Sequence, residues 1–316
     1  IKPVASITLE LTIIFYSFFL DSSEKIDKIS YNNNRDRGIH MYLIKEKFAL
    51  APNVTKMVIH APLITTHAHV GQFVMLRVEK EGERIPLTLA DFNKNDGTIT
   101  IIFQVVGKTT YLLNQLKQGD YLIDCAGPLG KKSNLEGLKR VILVGGGLGC
   151  AILYPIAKKL SEQHTEITSI VGFKNKSFVF LEEDFKQLSN QFHLLTDDGF
   201  YGSKGFVTDA LRNILINDSE FDEVIAIGPI PMMKAVSELT RPYHIKTTVS
   251  MNPVMVDGTG MCGGCRIKVG NEMKFACVDG PEFDGHLVNF DEVQKRNQMY
   301  KDIEDKAYDD LCRGIK

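Results

Sequence analysis

The chain of 316 residues has almost no surplus of charge: 37 Lys and Arg stand against 39 Asp and Glu, a formal net charge of −2. A nucleic-acid surface needs a basic face, and this balance argues against one. Cysteine is scarce, six in all, too few for the disulfide framework of a secreted scaffold. There is no internal repeat or low-complexity run, and 44% apolar with 24% charged residues excludes disorder, collagen-like and mucin-like character as the main state. Neither a Ser-His-Asp set nor a Gly-x-Ser-x-Gly elbow is visible. The apolar run over residues 5–20 contains Glu10 and falls short of the roughly 20 residues of a membrane helix.

The first forty residues do not look like the rest. Lys2 provides a basic start, but the Phe-Phe-Leu end of the apolar run is wrong for signal cleavage. Residues 22–37 are polar, with Asn32-Asn33-Asn34 at their centre, and Met41 opens an abrupt change to strand-like sequence. Residues 1–40 are therefore expected to be an upstream, disordered extension outside the fold. A membrane anchor or export signal, or a genuine extra element, are the alternatives. A cytoplasmic protein with no membrane association is the expectation.

From Met41 to about Leu129 short strands are broken by turns. Lys56-Met-Val-Ile-His60, Phe73-Val-Met-Leu-Arg-Val78 and Thr98-Ile-Thr-Ile-Ile-Phe-Gln-Val-Val106 are rich in β-branched residues. Leu113 and Leu116 recur at helical spacing behind Thr109 or Thr110 as N-cap, and Tyr121-Leu-Ile-Asp124 reads as a further strand. This spacing suggests a small antiparallel barrel. After Gly127-Pro-Leu-Gly130 the rhythm becomes strand–helix alternation. Strands are expected at residues 140–144, 166–173, 192–196, 223–228 and 246–250, and helices at about 150–160, 207–216 and 231–239, which implies a parallel sheet covered on both faces.

The strongest chemical signal is Asp257-x4-Cys262-x2-Cys265-x11-Cys277. The spacing C-x4-C-x2-C…C is that of plant-type ferredoxins, which hold a two-iron, two-sulfur (2Fe-2S) cluster; here Asp257 stands at the first ligand position. Glycines at 258, 260, 263 and 264 let the backbone wrap tightly and aim amides at sulfur. A Zn site and unmetallated thiols are the rival readings, and a redox dithiol would leave Cys277 unexplained.

A second signal is Val144-Gly-Gly-Gly-Leu-Gly149 between a buried strand and a helix, where glycines let a pyrophosphate approach the helix N-terminus. Cys150 sits at the third glycine position and Lys174, not an acid, ends the second strand. A dinucleotide site and a plain strand-to-helix turn remain equal readings. Gly228-Pro-Ile-Pro-Met-Met233 would place a second loop at the same carboxyl edge of the sheet. A third signal is Arg84-Ile-Pro-Leu-Thr88, an Arg beside a small hydroxyl that suits a phosphate or flavin edge. Gly107-Lys-Thr-Thr110 offers a second phosphate contact or simply a helix cap. His67 and His69 read as solvated loop residues.

These motifs in this order resemble the ferredoxin-reductase-like flavoproteins with a C-terminal iron–sulfur module. Within them the chain is most similar to the small subunits of NADH-dependent reduced ferredoxin:NADP oxidoreductases (sulfide dehydrogenase beta subunits), with dihydroorotate dehydrogenase electron-transfer subunits as relatives. Gly82-Glu-Arg-Ile-Pro-Leu-Thr-Leu-Ala-Asp91, Phe103-Gln-Val-Val-Gly-Lys-Thr-Thr110 and Asn252-Pro-Val-Met-Val-Asp-Gly-Thr-Gly-Met-Cys-Gly-Gly-Cys265 carry the likeness, which covers about residues 41–300. It implies an antiparallel Greek-key FAD-binding barrel (41–133), a parallel-sheet NAD-binding α/β domain (134–245), a small 2Fe-2S module (246–290) and a C-terminal helix or tail (291–316).

The resemblance further implies that Arg84, Pro86, Leu87 and Thr88 form the FAD segment. Ile102, Phe103 and Gln104 would line the flavin, and Thr109 and Thr110 would meet its phosphates. Gly145, Gly146, Gly147, Gly149, Gly228 and Pro229 would hold NAD(H), while Asp257, Cys262, Cys265 and Cys277 would ligate the cluster. Asp257 in place of Cys favours the ferredoxin:NADP type, and Ile227 is a departure where many relatives have Cys. The implied activity passes hydride between NAD(H) and FAD and single electrons between FAD and the 2Fe-2S cluster. The partner would be a larger flavoprotein subunit with FAD and 4Fe-4S clusters, with ferredoxin and electron bifurcation allowed. The alternatives are service to NAD-dependent dihydroorotate oxidation or, in another class, a non-catalytic Zn-stabilised nucleotide-binding module. One Lys at 174 is a weak 2′-phosphate selector, so NAD(H) is expected over NADP(H).

Overall fold

The computed structural model describes residues 42–313, so the expectations for residues 1–40 lie outside the described part. The chain opens with β1 (Tyr42–Ala51), β2 (Val54–His60), helix α1 (Pro62–His67), β3 (Phe73–Arg77), β4 (Arg84–Asn93), β5 (Thr98–Gln104), helix α2 (Lys108–Gln115), β6 (Tyr121–Leu122) and β7 (Asp124–Leu129). These strands form one antiparallel sheet in the order β6-β1-β2-β5-β4-β3-β7. β3, β4 and β5 are neighbours in sequence while β2 lies beside β5, which is Greek-key connectivity. Alternation along β5 turns Ile99, Ile101 and Phe103 into the barrel core with Ile44, Met57, Val74 and Leu76. The expected strand at 121–124 is in fact two: β6 ends at Leu122, and β7 continues through the Gly127-Pro128 turn to Leu129.

Six more strands and four helices follow: β8 (Arg140–Gly146), α3 (Gly149–Glu162), β9 (Glu166–Phe173), α4 (Glu182–Leu188), β10 (Gln191–Thr196), β11 (Ser203–Lys204), α5 (Val207–Asn217), β12 (Glu223–Ile227), α6 (Ile230–Thr240) and β13 (Lys246–Ser250). The sheet order is β11-β10-β9-β8-β12-β13, with β16 (Glu282–Asp284) added antiparallel at the edge of β13. Because β9 and β12 flank β8 on opposite sides, the strand order reverses at the carboxyl end of β8, the crevice where open α/β sheets bind ligands. One face packs Val141, Leu143, Ile167 and Val171 against α3. The other packs Ile142, Val144 and Ile170 against α5 and α6. The parallel sheet runs across the expected 245/246 boundary, since β13 pairs with β12 and β16 comes from the cysteine segment.

The cysteine segment adds a hairpin of β14 (Arg266–Val269) and β15 (Glu272–Phe275), and two helices close the chain, α7 (Phe290–Gln298) and α8 (Lys301–Cys312). Helix α8 returns to the barrel, where Tyr308 meets Tyr111 of α2 edge-on at 5.8 Å.

The barrel docks on the rest through side chains that point out of it. Val54, Ala90 and Ile102 join the α3 core, while Phe73 and Met75 join the core of the cysteine segment. Near the same seam Ser133 donates to the Glu282 carboxylate at 2.6 Å. Burial pushes the Glu282 carboxyl up from about 4.5 to about 7; the Ser133 hydroxyl and Lys246 oppose the shift, and neighbouring Glu223 adds to it. The folded chain therefore binds more protons than the unfolded one between these values, so this group's contribution is full at low pH and fades as pH rises toward 8. Glu282→Gln should abolish that fade: urea melts at pH 5 and pH 8 should show wild type losing on the order of 2 kcal/mol more than the variant. Parallel pH profiles would contradict it.

Candidate functional site

Three groups of residues are candidates for the site: the outer face of β4 and β5, the carboxyl edge of the parallel sheet, and the cysteine loop, which packs on Met75 of β3. On β4 the inward positions are Ile85, Leu87 and Leu89, which pack in the barrel core, so Arg84, Pro86 and Thr88 face out. Leu89 pairs with Ile101 of β5, both inward, and Ile102 and Gln104 therefore share the outer face with Thr88. Two of the residues expected at FAD turn their side chains inward here. Phe103 is completely buried in the barrel core and Leu87 packs against that core. Their side chains face away from any outer ligand because strand alternation places them with Ile101 and Leu89.

Arg84 is tied down at this edge. Its Nη2 and Nε donate to Oδ2 of Asp124 on β7 at 2.7 and 3.1 Å, and its remaining N–H groups are free for a second anion because the side chain is 43% exposed. Helix α2 has no acidic residue in its first turn, which suits an anion. A Cβ at Gly107 would meet nothing within 4 Å, so the helix entrance is open. Thr109 is buried. The N-cap is Gly107 rather than the expected Thr109 or Thr110; Thr110, at the third helical position, donates its hydroxyl to the Gly107 carbonyl at 3.0 Å and accepts from the Val106 and Gly107 amides at 3.0 and 3.1 Å.

At the carboxyl edge of the parallel sheet, β8 and β12 end side by side, with Ile227 in register with Gly145. Gly149 opens α3 directly against β12. A Cβ there would lie 2.0 Å from the Ile227 carbonyl oxygen and 2.8 Å from the Gly228 nitrogen, so only glycine brings this helix N-terminus to the crevice. Gly146 and Gly228 pack on each other and on Met232, and Pro229 is the N-cap of α6. Two helix N-termini, neither with a side-chain cap, thus converge on one edge. Cys150, at the third glycine position, is fully buried, and burial drives its thiol far above the ordinary value, so it is an inert packing group. Lys174 lies exposed just beyond β9, and His67 and His69 are exposed, as expected of solvated residues.

The cysteine loop wraps against the barrel. Gly258 has φ +79°, and a Cβ there would sit 2.7 Å from Met75 Cγ and 2.9 Å from Leu129 Cδ1. Met75 pairs in register with Pro86, so the loop lies one strand away from the β4 segment. Within the loop the four expected donors fall into two pairs. Cys265 and Cys277 are buried with their sulfurs 3.2 Å apart. The Asp257 carboxylate accepts from the Cys262 amide at 3.2 Å and from the Thr259 amide at 2.8 Å, and the Cys262 thiol also reaches it.

Those contacts, the Thr259 amide first, hold the Asp257 carboxyl below its usual range. Burial, and then the Cys265 neighbour, push the Cys277 thiol up to about 12. Among the described residues no three His, Cys, Asp or Glu side chains converge closely enough to hold a single metal ion. Two separate pairs fit a centre with two iron atoms better than the single point a tetrahedral zinc requires. Backbone amides of Gly264 and Cys277 point at the Cys262 and Cys265 sulfurs, each at 3.4 Å.

Comparison with known proteins agrees with this geometry. The family model described as the iron-sulfur cluster binding domain of dihydroorotate dehydrogenase B matches residues 252–289, and the oxidoreductase NAD-binding domain matches residues 143–238. A Thermotoga maritima protein named dihydroorotate dehydrogenase B (NAD(+)), electron transfer subunit homolog, is 45% identical over 272 residues, spanning 86% of this chain and 96% of that protein. The chain belongs to the dihydroorotate dehydrogenase B electron-transfer subunit family.

An uncharacterized protein in the adh 3' region of Clostridium beijerinckii is 46% identical, spanning 87% of this chain and 95% of that protein. A solved structure described as the NADH-dependent reduced ferredoxin-NADP oxidoreductase, in the context of flavin-based electron bifurcation, matches with a TM-score of 0.81 and 43% identity over 87% of this chain and 99% of that one. This member of the family is an oxidoreductase electron-transfer subunit with a ferredoxin-reductase-like fold, and FAD, NAD(H) and an iron–sulfur cluster fit it. Among the described residues no helix is long and apolar enough to cross a membrane.

The sequence did not reveal Asp124 as the partner of Arg84, nor Met75 as the contact between barrel and cysteine loop, because both pairings are long-range. Gly149→Ala should cost on the order of 2–4 kcal/mol of stability and weaken NADH binding at least about tenfold, because a rigid backbone carbonyl fills the new methyl's place. Calorimetry and NADH titration on the purified variant check both effects, and wild-type values in both would contradict them.

Proposed function

We propose that the chain is the electron-transfer subunit of an NADH-dependent reduced ferredoxin:NADP oxidoreductase. The observation that carries this reading is the contact of the cysteine loop with Met75, the register partner of Pro86 in the β4 segment. It is supported by the structural likeness over 99% of the ferredoxin-NADP oxidoreductase chain. Arg84, Pro86 and Thr88 with Ile102 and Gln104 hold FAD on the outer face of the barrel, and the entrance of α2 at Thr109 and Thr110 receives its phosphates. Gly145, Gly146, Gly147, Gly149, Gly228 and Pro229 hold NAD(H). Asp257, Cys262, Cys265 and Cys277 hold the 2Fe-2S cluster. A bound flavin accepts an electron pair as hydride and releases electrons singly, which a cluster carries one at a time.

The chain's own residues supply position and environment. Arg84, fixed by Asp124, presents an oriented positive fork. The two helix N-termini at the sheet edge favour the nucleotide's pyrophosphate, and Phe73 and Met75 exclude water between β3 and the cysteine loop. Val256, Met261 and Val278 are 61%, 89% and 40% exposed around Cys262, and this apolar rim is where a larger flavoprotein subunit carrying FAD and 4Fe-4S clusters docks. Flavin-based bifurcation between ferredoxin and NADP is the activity of the assembled pair, which we place in the cytoplasm, where thiols stay reduced. A second reading, service to dihydroorotate oxidation, is favoured by the match over residues 252–289; the identity of the co-purifying subunit decides between them.

The isolated chain should be yellow-brown, with flavin and iron–sulfur absorption bleached faster by NADH than by NADPH in stopped flow. A colourless zinc protein would overturn the reading. Asp257→Cys should still assemble a cluster but shift its spectrum and potential, because a soft thiolate replaces a hard oxygen. If both stay unchanged, Asp257 is not a ligand.

A further inference from the structure

Helix α7 brings one uncompensated cation to the cysteine loop. The helix is seated by buried Phe290 and Val293, and residues three and four further on share that face. Arg296 and Asn297 therefore point into the loop. Arg296 Nη2 donates to the Gly264 carbonyl at 2.9 Å, and Asn297 Nδ2 donates to the Asn252 carbonyl at 3.3 Å. Gly264 lies between Cys262 and Cys265, and its own N–H is the one aimed at the Cys262 sulfur. The Nε of Arg296 is buried with no hydrogen-bond partner. Among the described residues no Asp or Glu forms an ion pair with this guanidinium.

An unpaired, partly desolvated cation is costly unless an anionic group lies beside it. The thiolates and carboxylate of the cluster site, with the cluster they would hold, are such a group. An electron added to that site adds negative charge, and a nearby cation screened little by solvent stabilises it. The hydrogen bond acts beside it, since the Gly264 carbonyl belongs to the peptide that leads into Cys265, and Arg296 fixes the orientation of that peptide.

We propose that Arg296 is a positioning residue that raises the reduction potential of the iron–sulfur centre, through its unpaired charge and its hold on the Gly264 carbonyl. This rests on the ligand assignment of Asp257, Cys262, Cys265 and Cys277. Lys295 is its neighbour on the same helix but exposed, so its charge is screened by water and salt.

The test is an EPR-monitored redox titration of the full chain, with iron and sulfide assays, for wild type, Arg296→Gln, Arg296→Lys and Lys295→Gln. Arg296→Gln should keep near wild-type iron and titrate at a lower potential. Arg296→Lys, which keeps the charge, should lie closer to wild type, and Lys295→Gln should not move. A wild-type potential in Arg296→Gln with full iron content overturns the proposal. So does equal loss of iron in both Arg296 variants while the remaining centre titrates as wild type, which would make Arg296 a strut. Wild-type protein that takes up zinc and no iron would instead overturn the ligand assignment, and this proposal with it.

Discussion

The outward side chains of β3 hold the arrangement together. Val74 and Leu76 point into the barrel, while Phe73 and Met75 point out and are buried beneath the cysteine segment. A strand apolar on both faces must be covered on both faces, so the barrel is unstable as an open surface and the cysteine loop is held against it. Gly258 allows the close approach, since any side chain there would collide with Met75 and Leu129. Burial of two large side chains on this outer face is worth roughly 3–6 kcal/mol, enough to fix the loop's position relative to β4. Distance governs single-electron transfer, and here hydrophobic packing sets the distance.

A similar economy operates at the parallel sheet. The crevice at the end of β8 follows from the strand order, and the lack of side chains at Gly146, Gly149 and Gly228 lets two helix N-termini close on it. The barrel covers the same domain through Val54, Ala90 and Ile102, and Lys158 of α3 bonds Asp91 of β4 at 3.1 Å. Barrel, nucleotide crevice and cysteine loop are therefore joined by apolar seams at which polar ties such as Ser133 to Glu282 add direction rather than bulk stability.

The chemistry of the loop is set by pairs. Cys265 and Cys277 are deep and dry, whereas Cys262 and Asp257 lie toward solvent. One half of the donor set thus faces the protein core and the other faces the apolar rim at Val256, Met261 and Val278. A cluster held by these residues would have one side toward the chain's interior and the other toward its surface.

The sequence alone determined the two sheets, most of their strands and helices, and the spacing of the candidate donors in the cysteine loop. Period-two runs such as residues 98–104, strand–helix alternation after residue 140 and the spacing of Asp257, Cys262, Cys265 and Cys277 are local signals, written in neighbouring residues. It did not determine which side of β4 and β5 faces a ligand. Alternation separates Leu87, Leu89, Ile101 and Phe103 from Arg84, Pro86, Thr88 and Gln104, but the motifs run through both faces as contiguous stretches, and only the closed barrel shows which set is inside. The side chains of Leu87 and Phe103 turn to the barrel core for that reason. Tertiary structure also decided that Arg84 meets Asp124, that Met75 supports Gly258 and that Arg296 reaches Gly264. Each pair is far apart in the chain, and only the closing of the barrel and the docking of α7 bring the partners within a few ångströms.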